Sequence, residues 1–461
     1  MTHPLLAELA AQLPASALVT DPEKLAPRLV DERRKLHGST LAMALPGSTE
    51  EAALIVQRCV AHGVPIVPQA GNTGLVGGAT PMGDKVLLMA CDRLNQVRQV
   101  DAEGYTMTVE AGCTLDEIRA TAAEANRLFP LWLGSSTSAR VGGLIGTNAG
   151  GLQVLRYGNM RDLVLGVEAV LADGHIYRGL HNLRKRNVGY DIAQLMIGAE
   201  GTLGFITAAS LRLLPSEQGR ATAMVALPDA AAALGLFTHA KAEVGEVLTA
   251  FEYIGKAALE VMTAQHGEVP QPFTPLPNCA VLIALSGSQP DNILEDRLTQ
   301  LLMTASCEDA VLAQDGSQTE ALWALRELIP SAQRRAGPSI KQDLALPIGA
   351  IPAFIEEAAQ LVAARLPEAT PVVFGHMGDG NLHYNLGLAQ DADVANCEAI
   401  SNEVLFDLVA KYGGDISAEH GIGRFRVAAA DDRHHPVARE LMRKIKASLD
   451  PQGLFNPGVL I

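Results

Sequence analysis

The run Val372-Val373-Phe374-Gly375-His376-Met377-Gly378-Asp379-Gly380-Asn381-Leu382-His383-Tyr384-Asn385-Leu386 sets two imidazoles on either side of an Asp-Gly pair, between apolar flanks. Asp-Gly between strand-like runs is the strongest short signal for a β-hairpin. With Asp379 and Gly380 as the turn centre, Gly378 pairs with Asn381, Met377 with Leu382 and His376 with His383. Directly opposed residues share a face, with Cβ atoms roughly 5 Å apart. The two imidazoles then converge, and Asn385 shares their face. Ser417-Ala418-Glu419-His420-Gly421-Ile422-Gly423 offers a carboxylate and a further histidine among glycines. His376, His383 and Glu419 together would make a His₂-carboxylate metal site with one position left open. Zinc suits such ligands best, with manganese or iron(II) next. The spacing is met equally well by a polar hairpin whose histidines fill hydrogen bonds in the core.

Three glycine clusters form a second chemical signal: Gly71-Asn72-Thr73-Gly74-Leu75-Val76-Gly77-Gly78, Gly142-Gly143-Leu144-Ile145-Gly146-Thr147-Asn148-Ala149-Gly150-Gly151 and Gly198-Ala199-Glu200-Gly201-Thr202-Leu203-Gly204. A Rossmann fingerprint needs its glycines between a strand and a helix, with an acidic residue ending the next strand. The first cluster instead lies between two strand-like runs, where free N–H groups can still cradle a diphosphate. A wide surface turn satisfies that loop by itself. Three such segments in one half of the chain call for a common ligand that presses on backbone from several sides.

The elements that must hold these residues follow from pattern. Ser48-Thr49-Glu50-Glu51 has capping-box spacing and Gly63 closes the helix it opens. Strands are expected at residues 64–67, 85–89, 106–110, 164–172 and 205–214. After Pro215 the expected order is a strand at 222–227, a helix over 229–244, a strand at 280–285 and a helix over 291–306, forming an antiparallel sheet with helices on one face. A tail helix over 441–449 precedes a rigid loop. The predicted class is α+β: an N-terminal ligand-binding domain over 1–214, a second domain with an antiparallel sheet over 215–412, and a C-terminal helical segment over 413–461 that completes the active site. The 461 residues exceed what one core organises. A net charge of −15 argues against nucleic acid or an anionic membrane as partner. The six cysteines show no CxxC spacing, which fits reduced thiols. The N-terminal MTHPLLAELAAQL reads as an amphipathic helix without a basic leader, so a cytoplasmic location is expected.

In their order and wording the glycine segments resemble the FAD-binding domain of the vanillyl-alcohol oxidase/p-cresol methylhydroxylase (PCMH) superfamily. The likeness is closest along NAGGLQVLRYGNMRDLVLGVEAVLADG (148–174) and GYDIAQLMIGAEGTLGFIT (189–207). Within that superfamily the chain is similar to the branch that oxidises D-2-hydroxyglutarate and D-lactate. The resemblance implies a PCMH-type FAD-binding domain and a set of FAD contacts. These are Pro68, Gly71, Asn72, Thr73, Gly74, Leu75, Gly77 and Gly78 in the first loop, then Gly134, Ser135, Ser138, Gly142, Gly143, Thr147, Asn148 and Gly150. Glu200, Gly201, Gly204 and Ile206 follow, with Asn456 in the tail. Asn72-Thr73-Gly74 contains no histidine for a covalent link, so non-covalent FAD is expected. Ala139-Arg140 departs from the family pattern beside the flavin.

The resemblance also makes His376, His383 and Glu419 metal ligands and assigns Arg326, Lys341, Asn385 and His420 to the substrate. From composition alone Arg326 and Lys341 would be surface charges, although an arginine fork suits a carboxylate. The implied reaction is oxidation of a D-2-hydroxy acid, D-2-hydroxyglutarate first and D-lactate or D-malate next. His420 acts as general base, the metal acidifies the hydroxyl, and hydride passes to FAD. The expected electron acceptor is an electron-transfer flavoprotein or a quinone, and a homodimer is compatible with the sequence. The resemblance implies that relatives specialised for hydroxyglutarate can carry a threonine four residues after the arginine; this chain has Pro330 there, with Ser331 as the candidate substitute. The alternatives are a glycolate-oxidase-like flavin oxidase subunit and, from another class, a zinc hydrolase built on the His₂-Glu set.

Overall fold

Ser48 starts and Gly63 ends a helix over Thr49–His62 in the computed structural model, which describes residues 3–461. The Ser48 hydroxyl accepts from the Glu51 N–H at 3.1 Å, as its spacing predicts. The return half of the box is displaced by one residue, because Glu51 Oε2 accepts from Gly47 N, at 2.7 Å, and not from Ser48. Gly63 adopts φ +61°, the left-handed cap that glycine takes without strain. A reciprocal capping box does form at Thr114 and Glu117, opening the helix Leu115–Glu124. The N-terminal amphipathic helix is Pro4–Gln12 and buries Leu5, Leu6 and Leu9; residues 1 and 2 lie outside the described residues.

The chain divides into two units. The first takes the chain up to Gly151, Gly158–Pro215 and Glu419–Ile461; the second takes Leu152–Tyr157 and Ser216–Ala418.

In the first unit, strands Ala42–Ala44, Leu87–Ala90 and Ile66–Gln69 run parallel in one sheet, with Leu18–Val19 added antiparallel at the edge. A second, antiparallel sheet is ordered Val97–Asp101, Thr106–Glu110, Gly204–Arg212, Val164–Leu171, Ile176–Arg178. Two parallel neighbours need a connection that crosses from one end of the sheet to the other. The glycine loop 71–78 begins that crossing, between Ile66–Gln69 and Leu87–Ala90. The tail joins the same strand: Ile66 N donates to Leu454 O and Asn456 N donates to Ile66 O, both at 2.8 Å. The third glycine segment is pinned to the second by Gly198 N to Ile145 O at 3.0 Å and Glu200 N to Gly146 O at 2.7 Å. All three clusters are thereby brought to one side of one unit.

The second unit is built on one large antiparallel sheet. Its order is Asp309–Leu312, Gly219–Leu227, Cys279–Gly287, Leu248–Gly255, Thr370–His376, Asn381–Gly387, Ser339–Ile340, with Leu344–Ala345 also pairing with Asn381–Gly387. All nine residues of Cys279–Gly287 are buried, which requires cover on both faces. Helices Lys256–Gln265, Gly316–Glu327 and Ile329–Ala336 pack against Met224, Leu282, Ile254 and Phe374 on one face. On the other face Phe237, from the helix Ala230–Val244, meets Phe251 edge-on at 5.2 Å. The expectation of helices on one face only is therefore corrected.

The tail helix spans Pro436–Leu449, starting earlier than its periodicity predicts. Among the described residues all six cysteines are free, and burial pushes the thiols of Cys59, Cys91 and Cys279 up to about 12. No helix of the described residues is long and apolar enough to cross a membrane.

Candidate active site

The glycine segments of the first unit enclose a cavity of about 320 Å³, in the range of sites that hold small molecules and cofactors. Its walls include Pro68, Gly71–Leu75, Gly78, Gly134, Ser135, Gly142, Gly143, Thr147, Gly150, Glu200, Gly201, Gly204, Ile206 and Asn456. A Cβ placed on Gly74, Gly134 or Gly146 would meet no atom within 4 Å, so these glycines leave room in front of the backbone. Gly71 has a different reason to be glycine, because a Cβ there would overlap the Ser138 carbonyl. Three of the expected contacts are not among the lining residues. Gly77 turns its backbone at φ +70° with a hypothetical Cβ against Leu36, Ser138 backs Gly71, and Asn148 Oδ1 accepts from Arg161 N at 2.9 Å. Those three shape the cavity from behind.

Two lining side chains organise the cavity. Asn456 donates to Gly78 O at 2.9 Å and to Glu200 O at 2.7 Å, while its own Oδ1 is buried without a hydrogen-bond partner. A buried acceptor left open on a cavity wall is the kind of group a ligand donor completes. Glu200 accepts from Ile422 N at 2.8 Å and Gly423 N at 2.7 Å. Burial pushes its carboxyl above the usual range, with the two N–H donors and Arg426 pulling the other way. Through those bonds Glu200 fixes the segment that carries Glu419 and His420, both of which line the cavity; His420 Nε2 lies 3.3 Å from Glu419 Oε1. Arg140, unassigned by the sequence, is the one arginine or lysine among the lining residues and sits 3.4 Å from Asp92.

In the second unit the histidine hairpin forms with a different register from the expected one. Phe374, and not His376, lies opposite His383, while Glu252 of the neighbouring strand lies opposite His376. The turn is wider because its flanks are claimed elsewhere: Gly378 N donates to Phe251 O, and Asn381 and Leu382 pair with Ala345 and Leu344. A slip of two residues keeps every side chain on its face. The imidazoles therefore still meet, with ring centres 5.6 Å apart and a nitrogen of each within 4.8 Å of the other.

Glu252 is the residue that sequence reasoning missed. It is 1% exposed, its Oε1 is 2.8 Å from His376 Nδ1 and its Oε2 is 2.8 Å from Arg326 Nε. Burial alone would raise its carboxyl, but the His376 and Arg326 charges outweigh burial and bring it down to about 2. The available signal was a lone acid in the apolar strand Leu248–Gly255, since a buried charge demands a partner. An ionised carboxylate only accepts, so the His376 Nδ1 that faces it carries a proton. Arg326 is buried at 5% exposure, with its guanidinium 4.9 Å over the Phe374 ring. It is not the solvated charge that composition favours. Lys341 is half-buried between Ser339–Ile340 and Leu344–Ala345, strands that flank the His383 stretch. Asn385 shares the face of His383, but its amide is occupied, accepting from Gln342 N at 3.1 Å and donating to Gln333 Oε1 at 2.8 Å. Ser331, the candidate substitute beside Pro330, is bonded to His266 Nε2 at 2.9 Å.

Comparison with known proteins agrees with this layout. The model of the FAD binding domain family matches residues 40–179, and that of the FAD linked oxidases C-terminal domain matches residues 216–460. The mitochondrial D-2-hydroxyglutarate dehydrogenase of Bos taurus is 38% identical over 446 residues, covering 95% of this chain and 80% of the relative. The D-2-hydroxyglutarate dehydrogenase of Xanthomonas citri pv. viticola is 36% identical over 467 residues, covering 100% of this chain and 97% of the relative. Among solved structures, substrate-bound p-cresol methylhydroxylase superposes with a TM-score of 0.79 over 98% of this chain and 95% of that one, at 17% identity, which establishes a common fold.

Proposed function

This chain belongs to the FAD-linked oxidase family, and from that premise we propose that it oxidises a D-2-hydroxy acid to the 2-oxo acid, D-2-hydroxyglutarate first and D-lactate or D-malate next. The observation that carries this reading is the sheet face on which two imidazoles lie beside a guanidinium held by a shared carboxylate. Metal-ligand chemistry and anion-binding chemistry stand together there, as a hydroxy acid requires.

The glycine-walled cavity and the open acceptor of Asn456 fit FAD, held without a covalent link. When bound, FAD supplies the two-electron acceptor. His376 and His383, with a nitrogen of each within 4.8 Å of the other, fit a divalent ion, zinc first, with Glu419 as the carboxylate ligand drawn from sequence. Such an ion lowers the pKa of a hydroxyl placed on it.

The remaining work falls to side chains. Arg326, with Nε taken by Glu252, has its two terminal nitrogens for the substrate's α-carboxylate, and Lys341 adds a second positive charge. His420 takes the hydroxyl proton as the carbon is oxidised. Electrons then pass to an electron-transfer flavoprotein or a quinone.

The direct test is anaerobic. The purified yellow protein is mixed with D- and L-hydroxy acids while flavin absorbance is followed. Bleaching by D-hydroxy acids alone is expected; colour that survives every D-acid overturns the reading. Peroxide formation matched to turnover in air would identify an oxidase instead.

A further inference from the structure

Helices Gly316–Glu327 and Ile329–Ala336 follow one another, and Leu328 between them keeps right-handed helical angles of φ −83° and ψ −7°. Residues four and seven positions beyond Arg326 therefore fall on its face. These are Pro330 and Gln333. Ser331 lies off that face, with its hydroxyl held by His266.

Gln333 is only 3% exposed, and the orientation of its amide is fixed by a chain of donors. The backbone N–H of Gln342 can only donate, so the Asn385 atom that meets it at 3.1 Å is the oxygen. Asn385 must then present its nitrogen to Gln333, 2.8 Å away, and Gln333 must answer with its oxygen. The flip ambiguity of both amides is removed. What is left over is Gln333 Nε2, a buried two-proton donor with no hydrogen-bond partner. Buried donors in native proteins find an acceptor, and a bound ligand is one source of it.

Its place in the sheet says which ligand atom. Asn385, its partner, lies two residues along the strand from His383, roughly 7 Å at strand spacing. A hydroxy acid with its hydroxyl end at the histidines reaches that point only if its chain continues for about two more carbons, allowing for a hydrogen bond at the far end.

We propose that Gln333 is a specificity-determining residue whose Nε2 donates to the distal carboxylate of a D-2-hydroxydicarboxylate. This rests on the D-2-hydroxy acid reading above and narrows its substrate class. It also accounts for Pro330: the hydroxyl missing there is replaced one turn further along the same helix face. Asn385 becomes the residue that aims Gln333, acting on the substrate through it.

The test compares full-length, FAD-loaded wild type with Gln333→Leu, which keeps the bulk and removes both donors. The preference for D-2-hydroxyglutarate over D-lactate, as a ratio of kcat/KM values, is expected to fall about 10-fold, the loss typical of a donor to a charged acceptor. The Kd of 2-oxoglutarate, read from the flavin spectrum without turnover, should weaken by a similar factor relative to pyruvate. Equal effects on the two acid classes, or no effect, overturn the proposal. If the Gln333→Leu protein fails to retain FAD, Gln333→Met repeats the comparison with an unbranched stem. Wild type bleached by D-lactate but not by any dicarboxylate also overturns it. Wild type bleached by no D-acid overturns the underlying functional reading instead.

Discussion

Glu252 grips His376 from behind: Oε1 of the acid lies 2.8 Å from Nδ1 of the imidazole, and its other oxygen holds Arg326 at the same distance. One buried carboxylate thus orients a candidate metal ligand and a candidate substrate ligand together. A carboxylate behind a ligating histidine fixes its tautomer and raises its basicity.

Glu252→Gln keeps the shape but puts an amide donor into a pair of positions that both need an acceptor. Where the amide faces His376, the imidazole must shift its proton to Nε2, the atom that should ligate. Zinc affinity, measured by competition with a chromogenic chelator, is expected to fall about 10- to 100-fold. Unchanged affinity would show that Glu252 is only a packing element.

His420 lines the cavity of the first unit and is the proposed base. His420→Ala should lower kcat by about 100-fold or more, the usual contribution of a positioned base. Near-normal turnover in the variant would place the base elsewhere.

Two glycines of one loop should respond oppositely to the same change. Gly74→Ala adds a methyl that meets no protein atom, so melting of the apoprotein should stay close to wild type while FAD retention falls. Gly71→Ala drives a methyl into the Ser138 carbonyl and should lower the apoprotein's melting temperature outright. Calorimetry with and without added FAD separates the two.

Glu200 gives a pH signature. Burial raises its folded pKa, so between its unfolded value and that raised value the folded state holds more protons than the unfolded one. Its contribution to stability therefore grows as pH falls through the raised pKa and is complete below the unfolded value, about 4.3 for glutamate. Glu200→Gln leaves one of the Ile422 and Gly423 N–H groups without an acceptor and should cost about 1–3 kcal/mol. The gap between wild type and variant should widen on acidification. Melting curves across pH check this; a gap that narrows contradicts the assignment.

Elements with a local cause were legible. Ser48 and Gly63 delimit a helix through side-chain and backbone geometry within one turn of each end, and the strand Thr106–Glu110 matches its expected span. The hairpin register was not legible, because the bonds that set it come from Phe251, Leu344 and Ala345 in other strands. Glu252 escaped for the same reason: its partners lie 74 and 124 residues away along the chain.

By itself the sequence determined the two backbone-level features of this protein. Glycine spacing specified segments that leave open space in front of them, and strand parity placed His376, His383 and Asn385 on one face. Parity survives a two-residue slip because side chains alternate with a period of two. Tertiary structure alone decided which nitrogen of His376 faces Glu252, that Asn385 is occupied while Gln333 keeps a free donor, and that Ser331 belongs to His266. Each of these is a pairing of buried polar groups between distant elements. Burial makes such pairings obligatory, and only packing chooses the partner.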